Sequence, residues 1–288
     1  MVKLLKEDIR TKEVLDWKGL HLFHMPLSSC SQKLRIFLNI KGLEWQSHVI
    51  NLLKNENLTP YFLGINPRGL VPTLVDNGDV HIESNDILVH LENRFPEIPL
   101  IPSGKATHLK DLLKDEDDLH LDLRALSFRF LFTPPAPPKN NSDLESYANT
   151  GSGTVGGVKD THIDREINFW KELSLHGITD QIARNAAKKF FTKFTEIETQ
   201  LMNSPYIMGD DFSLLDIAWV VYIERLLLAG YPLKRLHPRL YNWQEEQRAR
   251  PEVGPEIALP ADMADILKER QQALVEQKQT LEDICFPL

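Results

Sequence analysis

The chain has 288 residues, enough for two domains with sizeable cores. Its composition is that of an ordinary globular protein, and its formal net charge of −8 argues against a nucleic-acid binder, which needs a basic surface. Two cysteines, Cys30 and Cys285, make no disulfide framework and suit a reducing, cytoplasmic setting. The ten histidines show no metal-ligand spacing, so no metal is expected. No run approaches the roughly 18 apolar residues that cross a bilayer, and the charged N-terminus lacks the apolar centre of a signal peptide, so no membrane partner is expected.

Residues 1–19 read as a polar N-terminal extension. Leu20 to His24 alternates as a strand does, Met25 to Ser29 is a turn, and Leu34, Ile36, Phe37, Leu38 and Ile40 then follow helical spacing. Trp45 to Leu52 alternates again, which completes a βαβ unit with a right-handed crossover. Lys54 to Gly69 reads as a polar loop, a short helix and a turn. Leu70 to Val75 is a strand that contains Pro72, a residue that fits an edge, a bulge or a cis peptide. Asn77-Gly78-Asp79 is a hairpin turn into the short strand Val80–Ile82. A helix capped by Ser84 then runs through Ile87, Leu88 and Leu91 until Pro96 ends it. The predicted order is βαβαββα over residues 20–96.

The proline-rich stretch 97–104 is a linker. Residues 105–288 show no strong strand signal and read as an all-α domain. Thr107 to Phe132 is expected as one long helix, with the acids Asp115 to Asp118 on a solvated face. Residues 133–160, with PPAPPKNN and NTGSGTVGG, carry no sustained apolar period and are expected to form a long loop or lid. The glycine run lacks the Lys-Ser/Thr of a phosphate-binding loop. Thr161 to Met202 is helical with a break at His176-Gly177. Ser213 and Asp216 form a capping box before the helix Leu214–Ala229. Pro238–Arg250 and the amphipathic tail Ala261–Ile284 complete the helices.

Chemistry concentrates at Ser28-Ser29-Cys30-Ser31. A strand delivers serines and a cysteine to the start of a helix, where unpaired N–H groups and the helix dipole favour an anion. A cysteine so placed can act as a thiolate, the serines can donate to a thiolate carried by a ligand, or the group can be an inert cysteine beside ordinary capping serines.

The chain resembles the cytosolic glutathione transferase superfamily from about Leu20 to Val253, leaving out residues 133–160. SSCS at Ser28–Ser31 is similar to the zeta-class turn. NPRG at Asn66–Gly69 and VPTL at Val71–Leu74 match the segment with the family's cis-proline. Glu83-Ser84 matches the pair that grips the γ-glutamyl end of glutathione, and Ser213–Asp216 matches a folding cap of the helical domain. The resemblance implies an α/β thioredoxin-like N-terminal domain, an all-α C-terminal domain, a cytoplasmic homodimer and glutathione as co-substrate.

It also implies site roles. Ser28 and Cys30 are the catalytic candidates. Leu70 and Val71, before Pro72, would pair with the cysteinyl part of glutathione in strand-like fashion. Glu83 would hold the ligand's ammonium and Ser84 a carboxylate, while Asn57 would reach the glycyl end. Two chemical modes follow. Ser28 can activate the glutathione thiolate for attack on a small hydrophobic electrophile, by conjugation, ether cleavage, dehalogenation or isomerisation. Alternatively Cys30 can attack sulfur in thiol transfer or reductive dehalogenation. A binding or scaffold module without turnover is a third reading. Met25, Leu27, Phe128, Phe132 and Trp219 are candidate apolar walls, and His24 and His120 candidate proton carriers.

Overall fold

The computed structural model describes residues 2–132 and 139–287. The chain divides into two units, one built from Met1–Arg94 with Pro135–Gly177 and the other from Phe95–Pro134 with Ile178–Leu288.

In the first unit the expected βαβαββα order is present: β2 (Leu20–His24), α1 (Ser29–Lys41), β3 (Gln46–Val49), α2 (Pro60–Leu63), β4 (Thr73–Asp76), β5 (Asp79–Ile82) and α3 (Ser84–Arg94). One further strand, β1 (Val2–Lys3), adds to the edge, so the sheet order is β1-β5-β4-β2-β3. β2 and β3 are parallel, as the α1 crossover requires, and the remaining pairings are antiparallel. This is a thioredoxin-like arrangement. Helix α1 starts where the Ser28 hydroxyl oxygen accepts from the Ser31 amide and stops at Gly42, whose φ of 61° closes the left-handed cap. Between these ends it buries Leu34, Ile36, Phe37 and Leu38, each contributing about 1.5–3 kcal/mol.

The N-terminal extension is more than a polar lead-in. Leu4, Ile9 and Val14 enter the same core cluster as Phe23, Ile50, Phe62, Val75 and Ile82. The buried Asp8 accepts hydrogen bonds from the amides of Leu5, Gly156 and Gly157 and from the Thr154 hydroxyl.

Those last partners belong to the stretch expected as a long loop. Residues 133–138 of that stretch lie outside the described residues. The remainder carries α6 (Asn141–Thr150) and the ribbon β6 (Thr154–Val155) with β7 (Val158–Lys159), and α7 (His162–His176) follows it. This corrects the expectation of a lid over 133–160. It also places residues 139–177 with the first unit, not with the helical one. The physical reason is local capping plus distant burial. Asn140 and Asp143 form a reciprocal capping box, and Leu144 and Tyr147 are the only residues α6 buries, too few to announce a period. Tyr147 packs in a second cluster with Leu58, Leu63 and Ile163. Gly156 and Gly157, at φ of 65° and 75°, supply the positive-φ turn of the ribbon.

Burial alone would raise the Asp8 pKa, but the Thr154 hydroxyl and the amides of Leu5, Gly157 and Gly156 outweigh it and hold the carboxyl below its usual value. A depressed folded pKa contributes stability above the unfolded value, and that contribution is lost as pH falls through the folded one. Asp8→Asn is therefore expected to cost stability at pH 7 and progressively less below about pH 4. Urea melts at pH 7 and pH 3 test this, and an equal cost at both would contradict it.

The second unit is helical: α4 (Ala106–Asp117), α5 (His120–Leu126), α8 (Asp180–Gln200), α9 (Leu214–Leu228), α10 (Leu233–Leu236), α11 (Pro238–Arg248), α12 (Gly254–Ile257), α13 (Ala261–Glu276) and α14 (Leu281–Cys285). The single helix expected over 107–132 is broken at Asp118-Leu119 and ends in a π-helical turn, Ser127–Leu131. Within its acidic run, Glu116 is fully buried while Asp115, Asp117 and Asp118 are exposed, so the solvated-face reading holds for three of the four. Helix α9 is buried from Leu214 to Leu226, which marks it as the centre of its bundle. Trp219 is core, edge-on to Phe194 and Tyr222. The His120 ring is hydrogen-bonded to the Tyr222 hydroxyl at 2.9 Å. Among the described residues, no helix is long and apolar enough to cross a membrane, and no cluster of three or more His, Cys, Asp or Glu could hold a metal.

Candidate functional site

The sheet brings the predicted residues of the first unit to one end. Phe23 pairs with Thr73, and Thr73 with Ile82. The turn after β2, the residues before β4 and the residues after β5 therefore leave the sheet on the same side. β3, parallel to β2, ends there too. Ser28 and Cys30, Leu70 to Pro72, and Glu83-Ser84 occupy these three positions. In α/β sheets the carboxyl ends of the parallel strands are where ligands bind.

At the first position the Ser28 hydroxyl oxygen accepts from the Ser31 amide at 3.3 Å. An oxygen used in this way keeps its O–H available to donate outward. Cys30 is the second residue of α1, half-buried and in no disulfide. Behind the turn, Arg35 donates to the Pro26 carbonyl at 2.8 Å and pairs with the His24 ring, whose other nitrogen meets the Ser47 hydroxyl. His24 is thus a brace in a buried network.

At the second position the Val71–Pro72 peptide is cis. Asn66 braces the turn before it: its amide donates to the Leu70 carbonyl and the Thr73 hydroxyl, both at 2.9 Å, and its oxygen accepts from the Arg68 amide. Half-exposed Val71 lies outside the β4 ladder, which begins at Thr73.

Asn57 is 5% exposed, and its amide donates to the Gly69 carbonyl at 2.7 Å. Its side-chain oxygen is buried with no hydrogen-bond partner. Tyr147 lies against Gly69, so Asn57 supports the Asn66–Gly69 turn from inside.

At the third position Glu83 adopts φ of 68°, a left-handed conformation uncommon for a residue with a side chain, and it directs the chain into α3. Ser84 is buried at the first turn of α3. The Glu83 carboxylate accepts from Arg68 at 2.6 Å. Arg68 presents its other edge to Asp160 in a two-pronged pair, Nε at 2.7 Å and Nη2 at 2.9 Å. Burial would raise the Asp160 pKa, but the Arg68 hydrogen bonds and charge hold it below its usual value. Burial, then Arg165 and Arg68, push the neighbouring His162 down to about 4. Sequence reasoning quoted Arg68 inside NPRG without giving it a role and missed Asp160 altogether. No local pattern joins residues 92 positions apart.

A thioredoxin-like unit with this end-of-sheet constellation, followed in sequence by an all-helical unit, defines a recognisable class. Residues 27–94 match the family model for the glutathione S-transferase N-terminal domain, and residues 179–246 that for the C-terminal domain. A zeta-class glutathione S-transferase of Euphorbia esula is 50% identical over 84 residues, which is 29% of this chain and 37% of the relative. A maleylacetoacetate isomerase of Pseudomonas aeruginosa is 42% identical over 87 residues, 29% of this chain and 41% of the relative. These alignments thus span well under half of the relatives' own length. Among solved structures, the beta-etherase LigF from Sphingobium sp. strain SYK-6 superposes with a TM-score of 0.70 at 23% identity, covering 83% of this chain and 98% of that one. The chain thus carries sequence matches to both the N-terminal and the C-terminal domain of glutathione S-transferases. Residues 139–177 fall outside both matched stretches.

Proposed function

We propose that the protein is a glutathione transferase in which Ser28 activates the glutathione thiolate for attack on a small hydrophobic electrophile. The observation that carries this reading is the convergence of Ser28, Val71-Pro72 and Glu83-Ser84 on one end of the sheet. Glutathione has two carboxylates, one ammonium and a thiol, and the constellation offers a partner of the right character for several of them. The Ser28 hydroxyl, already accepting from Ser31, donates to the thiolate, and the α1 N-terminus favours its charge. The Val71 backbone pairs with the cysteinyl peptide. Glu83 takes the ammonium, and the Ser84 hydroxyl and amide at the start of α3 take the adjacent carboxylate. Leu70 lies at the edge of the same stretch. Asn57 acts indirectly, by holding the turn. Conjugation, ether cleavage, dehalogenation and isomerisation share this first step. The protein acts as a homodimer in this reading, as its family does.

Retention on immobilised glutathione and its loss in Glu83→Ala test the binding part. Ser28→Ala is expected to lower turnover of a generic aryl halide about 10²–10³-fold, the usual cost of removing one donor to a developing or bound anion. Cys30→Ala should lower it less than tenfold. The opposite ranking, seen also on a mixed disulfide of glutathione, would move the chemistry to Cys30 and thiol exchange. A wild-type chain that glutathione neither retains nor elutes would sink the enzyme reading.

A further inference from the structure

We propose that Asp160, supplied by the 139–177 insert, is a positioning residue that keeps Glu83 able to bind a ligand ammonium, by taking up the charge of Arg68. The inference rests on the reading of Glu83 just given and deepens it. Arg68 donates to Glu83 from one edge of its guanidinium and to both oxygens of Asp160 from the other. Alone, Arg68 and Glu83 are a neutral pair, and a neutral pair offers little to a cation. With Asp160 the group holds two carboxylates and one guanidinium, a net charge of −1. Neutral His162 adds nothing to that sum at pH 7.

The geometry fits such a division of labour. Arg68 engages Asp160 from its Nε edge with a matched two-pronged pair and gives Glu83 one bond from Nη1. The Arg68 and Asp160 side chains are 15% and 13% exposed, while Glu83 is 30% exposed and so the member open to a ligand. The insert also contacts this turn and the loop before α2. Tyr147 donates to the Arg68 carbonyl, Gly151 lies against Pro67, and Lys139 and Asp143 bond Asn55. Asp160 lies outside both matched family stretches.

The test compares glutathione with N-acetylglutathione, which lacks the ammonium, by calorimetric titration of the full chain. Wild type should prefer glutathione. Asp160→Asn should shrink that preference about tenfold, by weakening glutathione while N-acetylglutathione is unchanged. Asp160→Glu, which keeps the charge, should retain the preference. A ratio of affinities is insensitive to the fraction folded, so a merely structural Asp160 would lower both affinities together and leave the ratio unchanged. That result, or an unaltered preference in Asp160→Asn, overturns the proposal. A wild type that binds glutathione but shows no preference for the ammonium overturns the Glu83 role. A wild type that binds neither compound overturns the reading of the site as a whole.

Discussion

Asp216→Ala is expected to lower the stability of the protein by about 3–5 kcal/mol. Asp216 is fully buried and accepts from the Ile207 amide at 3.0 Å, the Ser213 amide at 2.8 Å and the Ser213 hydroxyl at 2.6 Å. Truncation strands two buried amides at once, each at about 1–3 kcal/mol, and removes the cap of the helix at the centre of the second unit. Asp216→Asn keeps an acceptor and should cost about half as much. Burial pushes the Asp216 carboxyl up to about 6, against the Ile207 and Ser213 donors that pull it down. Because the folded pKa lies above the unfolded one, the contribution is fully present below about pH 4 and declines as pH rises through about 6. The cost of Asp216→Ala should therefore be greater at pH 5 than at pH 7.5. Urea denaturation at the two pH values measures both effects. A cost under 1 kcal/mol would show that other groups hold the cap.

The second large effect is expected at Tyr147. Its ring is buried among Leu58, Leu63 and Ile163, and its hydroxyl donates to the Arg68 carbonyl. Tyr147→Ala should cost about 3–5 kcal/mol and Tyr147→Phe about 1 kcal/mol, the second value isolating the hydrogen bond. The damage should begin locally. Residues 139–177 have few other apolar anchors, so limited proteolysis should cut there in the alanine variant before the rest of the chain opens. Cleavage no faster than in wild type would mean that the ion pairs and the Asp8 bonds suffice to hold the insert.

The parts of the fold that were legible in sequence are those whose determinants are local. Alternation at Leu20–His24, the Asn77-Gly78 turn, the Ser213/Asp216 box and the break at Gly177 each sit within a few residues of the structure they specify. The site was legible where it coincides with such signals. Ser28 is both the cap and the candidate donor, and Glu83-Ser84 opens a helix with a clear apolar face. What escaped depends on partners far along the chain. Nothing near Asp8 announces that it will cap a ribbon about 150 residues later. Nothing in SDLESYANT, with Leu144 and Tyr147 as its only buried residues, distinguishes a docked helix from a polar loop. Glu116 escaped for the opposite reason, since a charge among charges reads as solvated until its burial is seen. Asn57 was placed at a ligand on family likeness, and its side-chain amide donates to the distant Gly69 carbonyl, a contact no local pattern announces.

The first unit is not a continuous stretch of chain, and this has a consequence for synthesis. A ribosome delivers residues in order, and the thioredoxin-like strands are complete by Ile82. Asp8, Asn55 and Arg68 must nevertheless wait for Thr154, Asp143 and Asp160. By then α4 and α5 of the second unit have emerged, while their helical neighbour α8 has not. The nascent chain therefore passes through a stage in which both units are open at once, each holding apolar surface that only later residues cover. Chains in such a state are the ones that need chaperone shelter. An insert that steadies the finished protein thus lengthens its exposure during manufacture.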